Sequence, residues 1–328
     1  MSQGFVVSMP PHERSGESVS TIMWGVAGAL LPALIAGVYF FGIRALVVTL
    51  FSVIACIAVE YLVQKYILRM EETTAMDGSA AVTGMLLAFN VPSSIPLWQI
   101  LVGAIVSIGI AKMAFGGIGN NPFNPALIGR AFMLTSFPVS MTTWPVPGET
   151  RFMWNTDAVT GATPLGLLKE SGFAGSEFPG YLNMFLGNQG GCIGEISALA
   201  VLIGGLYMLY RGWISWQVPI LYLVSLALIT GVFWAIHPAQ YVDPLFHVLA
   251  GGAMIGAWFM ATDMTTSPMS VRGKVIFAVG GGLLAGLIRL IGGFPEGVSY
   301  SILLMNAAVP MIDKYVKPRT FGKEKSRG

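Results

Sequence analysis

Apolar residues fall in long blocks along this chain, separated by short polar stretches rich in Gly, Pro and Asn. A block of about 20 apolar residues is long enough to cross a bilayer as a helix. Such blocks cover residues 22–41, 45–66, 97–115, 192–210, 218–236, 245–262, 275–291 and 301–316. Two further blocks, 80–91 and 127–137, are too short to cross as plain helices and read as broken or half-helical spans. The pattern predicts an all-α integral membrane protein of about ten transmembrane helices.

Composition sharpens this picture. Hydrophobic residues make up 54% of the 328 and charged residues 10%, against about 25% charged in a typical soluble domain. So few charges cannot cover a water-facing surface, so the lipid bilayer is the expected solvent and nucleic acid is not an expected partner. The 41 glycines suit close helix packing in a membrane. Two cysteines, Cys56 and Cys192, cannot by themselves build an iron–sulfur cluster or a zinc site, which take about four ligands. The first apolar block exceeds a leader's hydrophobic region and reads as a membrane helix.

Charge then gives orientation. With the N-terminus in the cytoplasm and ten crossings, the inner side holds Arg14, Lys65, Arg69, Lys112, Arg130, Arg211, Arg272, Lys274 and the basic residues from Lys314 onward. Arg44, Arg151, Lys169 and Arg289 fall outside, a bias that follows the positive-inside rule. Both termini are then cytoplasmic, and the one long loop, 137–191, is extracytoplasmic. The expected organisation is a tail (1–20), a first membrane repeat (21–136), the outer loop (137–191), a second repeat (192–316) and a basic tail (317–328).

The halves look alike. DGSAAVTGMLLAFNVP (77–92) and GGIGNNPFNPALIGR (116–130) in the first correspond to DPLFHVLAGGAMIGAWFMAT (243–262) and GGFPEGVSYSILLMNAAVP (292–310) in the second. Five spans in each half force opposite topologies, so the layout is two inverted five-helix repeats, which place sites at the repeat interface. Broken backbone inside a bilayer is tolerated where it is buried in protein or lines a cavity. The Asn side chains at 120, 121 and 124 offer donors and acceptors there to a ring system, an ion or a facing helix.

The outer loop carries Asp157-Ala158-Val159-Thr160-Gly161-Ala162-Thr163-Pro164. Small residues let the backbone turn tightly and leave the Thr163 hydroxyl beside a rigid proline. A threonine needs an activating base or a transferase to react. The run Asp157, Thr160, Gly161, Ala162, Thr163 resembles the flavinylation motif of the Na⁺-pumping NADH:quinone reductase and of the related Rnf complex. GSAAVTGMLLAF (78–89) and GNNPFNPALIGR (119–130) are similar to stretches of the quinone reductase B subunit and the Rnf D subunit. The short N-terminal extension fits the Rnf protein better.

The resemblance implies FMN joined through its phosphate to Thr163 by a flavin transferase, in a subunit of a redox-driven, Na⁺- or H⁺-translocating complex of the prokaryotic inner membrane. It also implies a second, non-covalent riboflavin, for which Asn120, Asn121, Asn124 and Thr83 are the candidate residues. Electrons between ferredoxin and NAD would enter through iron–sulfur and second flavin subunits, because this chain has neither cluster ligands nor a nicotinamide fingerprint. Two ionisable residues near membrane depth, Asp263 and Glu60, are candidates for an ion pathway. Lys112 and Arg130 read as basic anchors, Arg289 as a snorkelling side chain, His247 as a packing residue, and Trp24, Trp98, Trp213 and Trp216 as belt aromatics. Rival readings are the quinone reductase B subunit and, from another class, a urea- or ammonium-type channel, which explains the spans but not the loop motif.

Overall fold

The computed structural model describes residues 17–147, 160–161, 163–171, 180–293 and 296–317. Ser18 accepts from Thr21 N–H (3.1 Å) and starts α1 (Val19–Phe41), and Gly42, at φ +77°, turns the chain into α2 (Ile43–Ile67). α3 (Ser79–Phe89) is a half-length helix; α4 (Leu97–Phe115) follows, and α5 (Pro125–Ser136) is short again. α6 (Pro138–Thr142) leads to a two-residue strand β1 (Trp144–Pro145), paired antiparallel with β2 (Thr160–Gly161). α7 (Pro164–Ser171) and α8 (Tyr181–Leu186) complete the connection to α9 (Ala198–Tyr210) and α10 (Gln217–Ile236). α11 (Pro244–Leu249) and α12 (Ala253–Ile255) precede the long α13 (Val271–Leu290) and α14 (Val298–Tyr315).

Five of these helices, α1, α2, α4, α10 and α13, are long and apolar enough to cross a membrane. Their outward side chains are apolar and exposed, as Ile35, Ile54 and Leu228 illustrate, which is what lipid as solvent allows. The chain is a multi-pass membrane protein.

The short helices 79–89 and 125–136 match their expected short spans. Two other regions differ from the pattern. The apolar block 192–210 is helical only from Ala198, where Ser197 caps Ala200 N–H (3.2 Å). The block 245–262 is interrupted at Gly251 and Gly252 (φ +54° and +55°), a left-handed pair that ends α11. α12 then continues as a π-helical turn, Gly256–Met260. Hydropathy averages over such breaks because Gly and Ala score as apolar whether or not the helix continues through them.

Helices approach through small residues, the membrane packing mode that works without a hydrophobic driving force. Ser52 Oγ donates to Gly84 O (2.7 Å) between α2 and α3. Between α10 and α13, a Cβ at Gly282 would sit 2.0 Å from Ser225 Oγ and 2.2 Å from Tyr222 O. Backbone cannot yield cheaply, so Gly282→Val is expected to cost at least the roughly 1–3 kcal/mol of ordinary overpacking. A clear fall in thermal midpoint of the detergent-solubilised protein checks this; an unchanged midpoint would mean that the α10–α13 contact is looser than described.

Candidate functional site

Near the start of α1, segments distant in sequence line a cavity that opens to the surface. Ser79 and Thr83 line it from α3, Lys112 from α4, Asn121 and Asn124 from the Gly-Asn-Asn-Pro turn, and Asp263 from beyond the π-helical turn. Asn124 is held by the fold: its Oδ1 caps α5 at Ala126 N–H (3.1 Å) and its Nδ2 donates to Met260 O (3.4 Å). Pro125 behind it is preset for the first helical position. Asn306 Oδ1 accepts from Asn124 N–H (3.1 Å) and its Nδ2 donates to Thr266 O (3.1 Å), so the Asn-small stretches of the two halves meet here.

Thr83, Asn121 and Asn124, predicted together, are therefore brought together. Asn120 is not. It is exposed, donates to Gly116 O (3.4 Å) and lies outside the cavity lining. Trp213, placed in the aromatic belt by sequence, is buried with an unpartnered Nε1 and lines the cavity. Trp24, Trp98 and Trp216 are exposed as expected.

The cavity wall carries an ion pair. Lys112 Nζ lies 2.6 Å from Glu60 Oε2 and 2.6 Å from Ser79 Oγ, and both charged side chains are at most 3% exposed. Lys112 is thus a buried counter-ion, not a surface anchor. Gln64 Nε2 donates to the other Glu60 oxygen (3.3 Å). Asp263 accepts from Thr265 N–H (3.2 Å) and Thr266 Oγ1 (3.2 Å). Asp263 reaches the cavity directly; Glu60 touches it through Lys112.

Arg130 also departs from its expected place in a basic flank. It is buried, donating to Asn90 Oδ1 (3.0 Å), Ser299 Oγ (2.6 Å) and the Glu296 carboxylate. Arg289 is likewise buried rather than snorkelling, with its guanidinium on the carbonyls of His247, Ala250 (3.0 Å) and Gly251. These are the carbonyls that the Gly251–Gly252 break leaves without helical partners, so a cation there satisfies the end of α11. His247 is buried against Phe246, as a packing residue would be.

Thr163 lies at the other end of the molecule, ahead of α7. Its Oγ1 accepts from Gly166 N–H (3.0 Å), its carbonyl from Leu167 N–H (2.9 Å), and Pro164 occupies the first helical position. The residue is therefore a helix N-cap, and it is 6% exposed. Leu165 anchors α7 in a small cluster with Met184, Val242, Phe246 and Ala250. Lys169 donates to Gly292 O, and Tyr181 to Asp243, whose carboxylate pushes the Tyr181 phenol up to about 12. Thr160 and Gly161 form β2; Asp157 and Ala162 of the motif lie outside the described residues.

Sequence reasoning passed over Glu195 and Glu296. Each stands next to glycine in an apolar context, which was the available signal, but their meeting depends on the fold.

A multi-pass helix assembly with a cavity among broken helices and a capped threonine on a connecting helix defines the class, a polytopic membrane protein with interrupted spans. The chain belongs to the NQR2, RnfD, RnfE family, which it matches over residues 6–322. It is 47% identical to the D subunit of the proton-translocating ferredoxin:NAD(+) oxidoreductase complex of Clostridium ljungdahlii, over 97% of this chain and 96% of that one. It is 48% identical to the D subunit of the Na(+)-translocating ferredoxin:NAD(+) oxidoreductase complex of Acetobacterium woodii, with the same coverage. The corresponding protein of the ion-translocating oxidoreductase complex of Pectobacterium carotovorum is 38% identical, over 97% of this chain and 99% of the relative.

Proposed function

We propose that this chain is the flavin-carrying D-type subunit of an ion-translocating ferredoxin:NAD oxidoreductase complex. It holds FMN ester-linked to Thr163 and a non-covalent riboflavin in the cavity of Thr83, Asn121 and Asn124. The observation that carries the reading is the convergence of these three residues, from two separate segments, on one cavity. The unpartnered Trp213 Nε1 and the amides of Asn121 and Asn124 suit a ligand rich in acceptors and donors. At Thr163 the fit is electrostatic: a phosphate at a helix N-terminus meets the positive end of the helix dipole. The hydroxyl oxygen accepts from Gly166 N–H, and a phosphoester formed on it sets the phosphate oxygens beside the start of α7.

When bound, the flavins supply the electron transfer; the chain supplies position and surroundings. Asn124 holds its amide at a fixed angle because α5 and Met260 both grip it. Lys112 places a positive charge on the cavity wall, held by Glu60 and Ser79. Asp263 and Glu60 are the acidic groups of the ion pathway. The partners are iron–sulfur and second flavin subunits, with a flavin transferase for maturation. Supporting the five-plus-five inverted arrangement are the Asn124–Asn306 contact and the paired broken helices. The bias of the remaining basic residues supports cytoplasmic termini in the inner membrane, with the Thr163 loop extracytoplasmic.

Asn124→Asp tests the cavity. Aspartate caps a helix as well as asparagine does, but it removes the Nδ2 donor and adds a charge. Acid precipitation of the purified complex is expected to release much less flavin from the variant, while flavin bound to the polypeptide stays constant. Equal release from both proteins would sink the assignment of riboflavin to this cavity.

A further inference from the structure

A chain of short hydrogen bonds runs from the surface of the protein to the cavity and ends on Lys112. Asp77 sits ahead of α3, half-buried and next to the exposed Met76. Its Oδ1 accepts from Ser79 N–H (2.7 Å) and from the Ser79 hydroxyl (2.5 Å). The same hydroxyl oxygen accepts from Lys112 Nζ (2.6 Å), and Ser79 and Lys112 both line the cavity. Holding the start of α3 takes only the bond to Ser79 N–H. It does not account for a hydroxyl set between a carboxylate and a buried ammonium.

A proton moves along such a chain where each member accepts at one end and donates at the other. Ser79 does both. The second route out of Lys112 does not. It passes through Glu60 to Gln64, whose Nε2 donates to Glu60 Oε1 (3.3 Å) and to Thr74 Oγ1 (2.9 Å). An amide nitrogen that only donates blocks that branch. Glu60 acts instead as the counter-ion. Once Lys112 gives up a proton, Glu60 is an unpaired buried charge, which draws a proton back to Nζ. Titratable groups face Lys112 from three segments: Glu60 and Cys56 from α2, Asp77 through Ser79, and Asp263 on the cavity wall.

We propose that Lys112 protonates the molecule held in the cavity, and that Asp77 returns the proton to Lys112 through Ser79. The recipient is the flavin proposed above, so this inference rests on that reading. As electrons arrive from the iron–sulfur or flavin partners of the complex, a Lys112 N–H bond breaks and an N–H bond forms at a ring nitrogen. Asp77 takes a proton from water and passes it to Ser79 as Ser79 passes its own to Nζ. One proton has then moved from water to the ring, and Lys112, Ser79 and Asp77 are as they began.

The complete complex, purified in detergent, is mixed rapidly with titanium(III) citrate and flavin bleaching is followed by absorbance. The cavity flavin is the phase that Asn124→Asp removes. Asp77→Asn keeps an oxygen that accepts both Ser79 bonds but cannot carry the proton onward. Ser79→Ala deletes the link without changing charge. Each is expected to slow the cavity phase by about tenfold or more, the scale of general-acid assistance. Loss of the Asp77 negative charge by itself favours arrival of an electron, so slowing in Asp77→Asn has the opposite sign to an electrostatic effect. The midpoint potential of the cavity flavin in Ser79→Ala is expected to equal that of the wild type, because a relay sets the rate and not the equilibrium. A cavity phase at the wild-type rate in either variant overturns the relay. So does a slowed phase accompanied by a shifted potential in Ser79→Ala. If Asn124→Asp releases as much flavin in acid as the wild type, the flavin reading fails and the relay falls with it. A phase assigned to the cavity but unchanged by Asp77→Asn or Ser79→Ala sinks the relay alone.

Discussion

Thr163→Val abolishes flavin fluorescence in the denatured polypeptide band, a complete loss rather than a reduction. The expectation follows from bond chemistry. A phosphoester needs the threonine Oγ, and valine replaces that oxygen with a methyl group of the same shape. Riboflavin held by hydrogen bonds leaves on denaturation, so only an ester-linked flavin remains with the band. The substitution also deletes the cap on Gly166 N–H, a loss of about 1 kcal/mol. Thr163→Ser separates the two effects, because it keeps both the cap and the esterifiable oxygen. The chain is co-expressed with its flavin transferase, and the serine variant is expected to fluoresce wherever the transferase accepts serine. A fluorescent band from the valine variant would place the covalent flavin elsewhere. A dark wild-type band, with the transferase shown active on another substrate, would remove the covalent flavin from this protein.

Lys112→Met is expected to destabilise the protein by about 3–5 kcal/mol, the range for removing one partner of a buried ion pair. The pair is closed off, with Lys112 and Glu60 side chains 3% and 2% exposed. Methionine preserves length and apolar packing but leaves the Glu60 carboxylate facing Gln64 alone. The double variant Glu60→Gln/Lys112→Met removes both charges and is expected to recover most of the loss, since the penalty lies in the uncompensated charge. Thermal unfolding of the four proteins of the cycle in detergent supplies the measurement. If Lys112→Met unfolds at the wild-type temperature, the Glu60–Lys112 contact is not a charged pair. Asp263 serves as an internal comparison: it lines the same cavity but is held by Thr265 and Thr266 rather than by a cation.

Lys112, Arg130 and Arg289 show where linear reasoning stops. In sequence each is a basic residue at the edge of an apolar block, and the positive-inside rule assigns it to a membrane surface. In the fold each is buried, because a partner far along the chain compensates it: Glu60 for Lys112, Glu296 for Arg130, and the orphaned carbonyls of α11 for Arg289. A basic residue's cost in the interior depends on who meets it there, which is a property of three-dimensional neighbours. Asn120 errs in the other direction. It shares a turn with Asn121 and Asn124, but only the latter two face the cavity.

The sequence by itself determined that this is a membrane protein, that helices 79–89 and 125–136 are short, and that Thr163 and the Asn-rich turn are the residues to watch. Those features are written in contiguous residues: block hydrophobicity measures how much of a segment water would have to solvate, and capping and turn chemistry act within a few positions. Tertiary structure alone decided that Thr83, Asn121, Asn124 and Asp263 share one cavity, that the helix at 245–262 breaks at Gly251–Gly252, and that Glu195 and Glu296 meet beside Arg130. Contacts between residues 170 positions apart, such as Asn90 with Met260, arise from how helices pack against one another. No local pattern encodes them, because small side chains permit many close approaches and only the assembled bundle selects one.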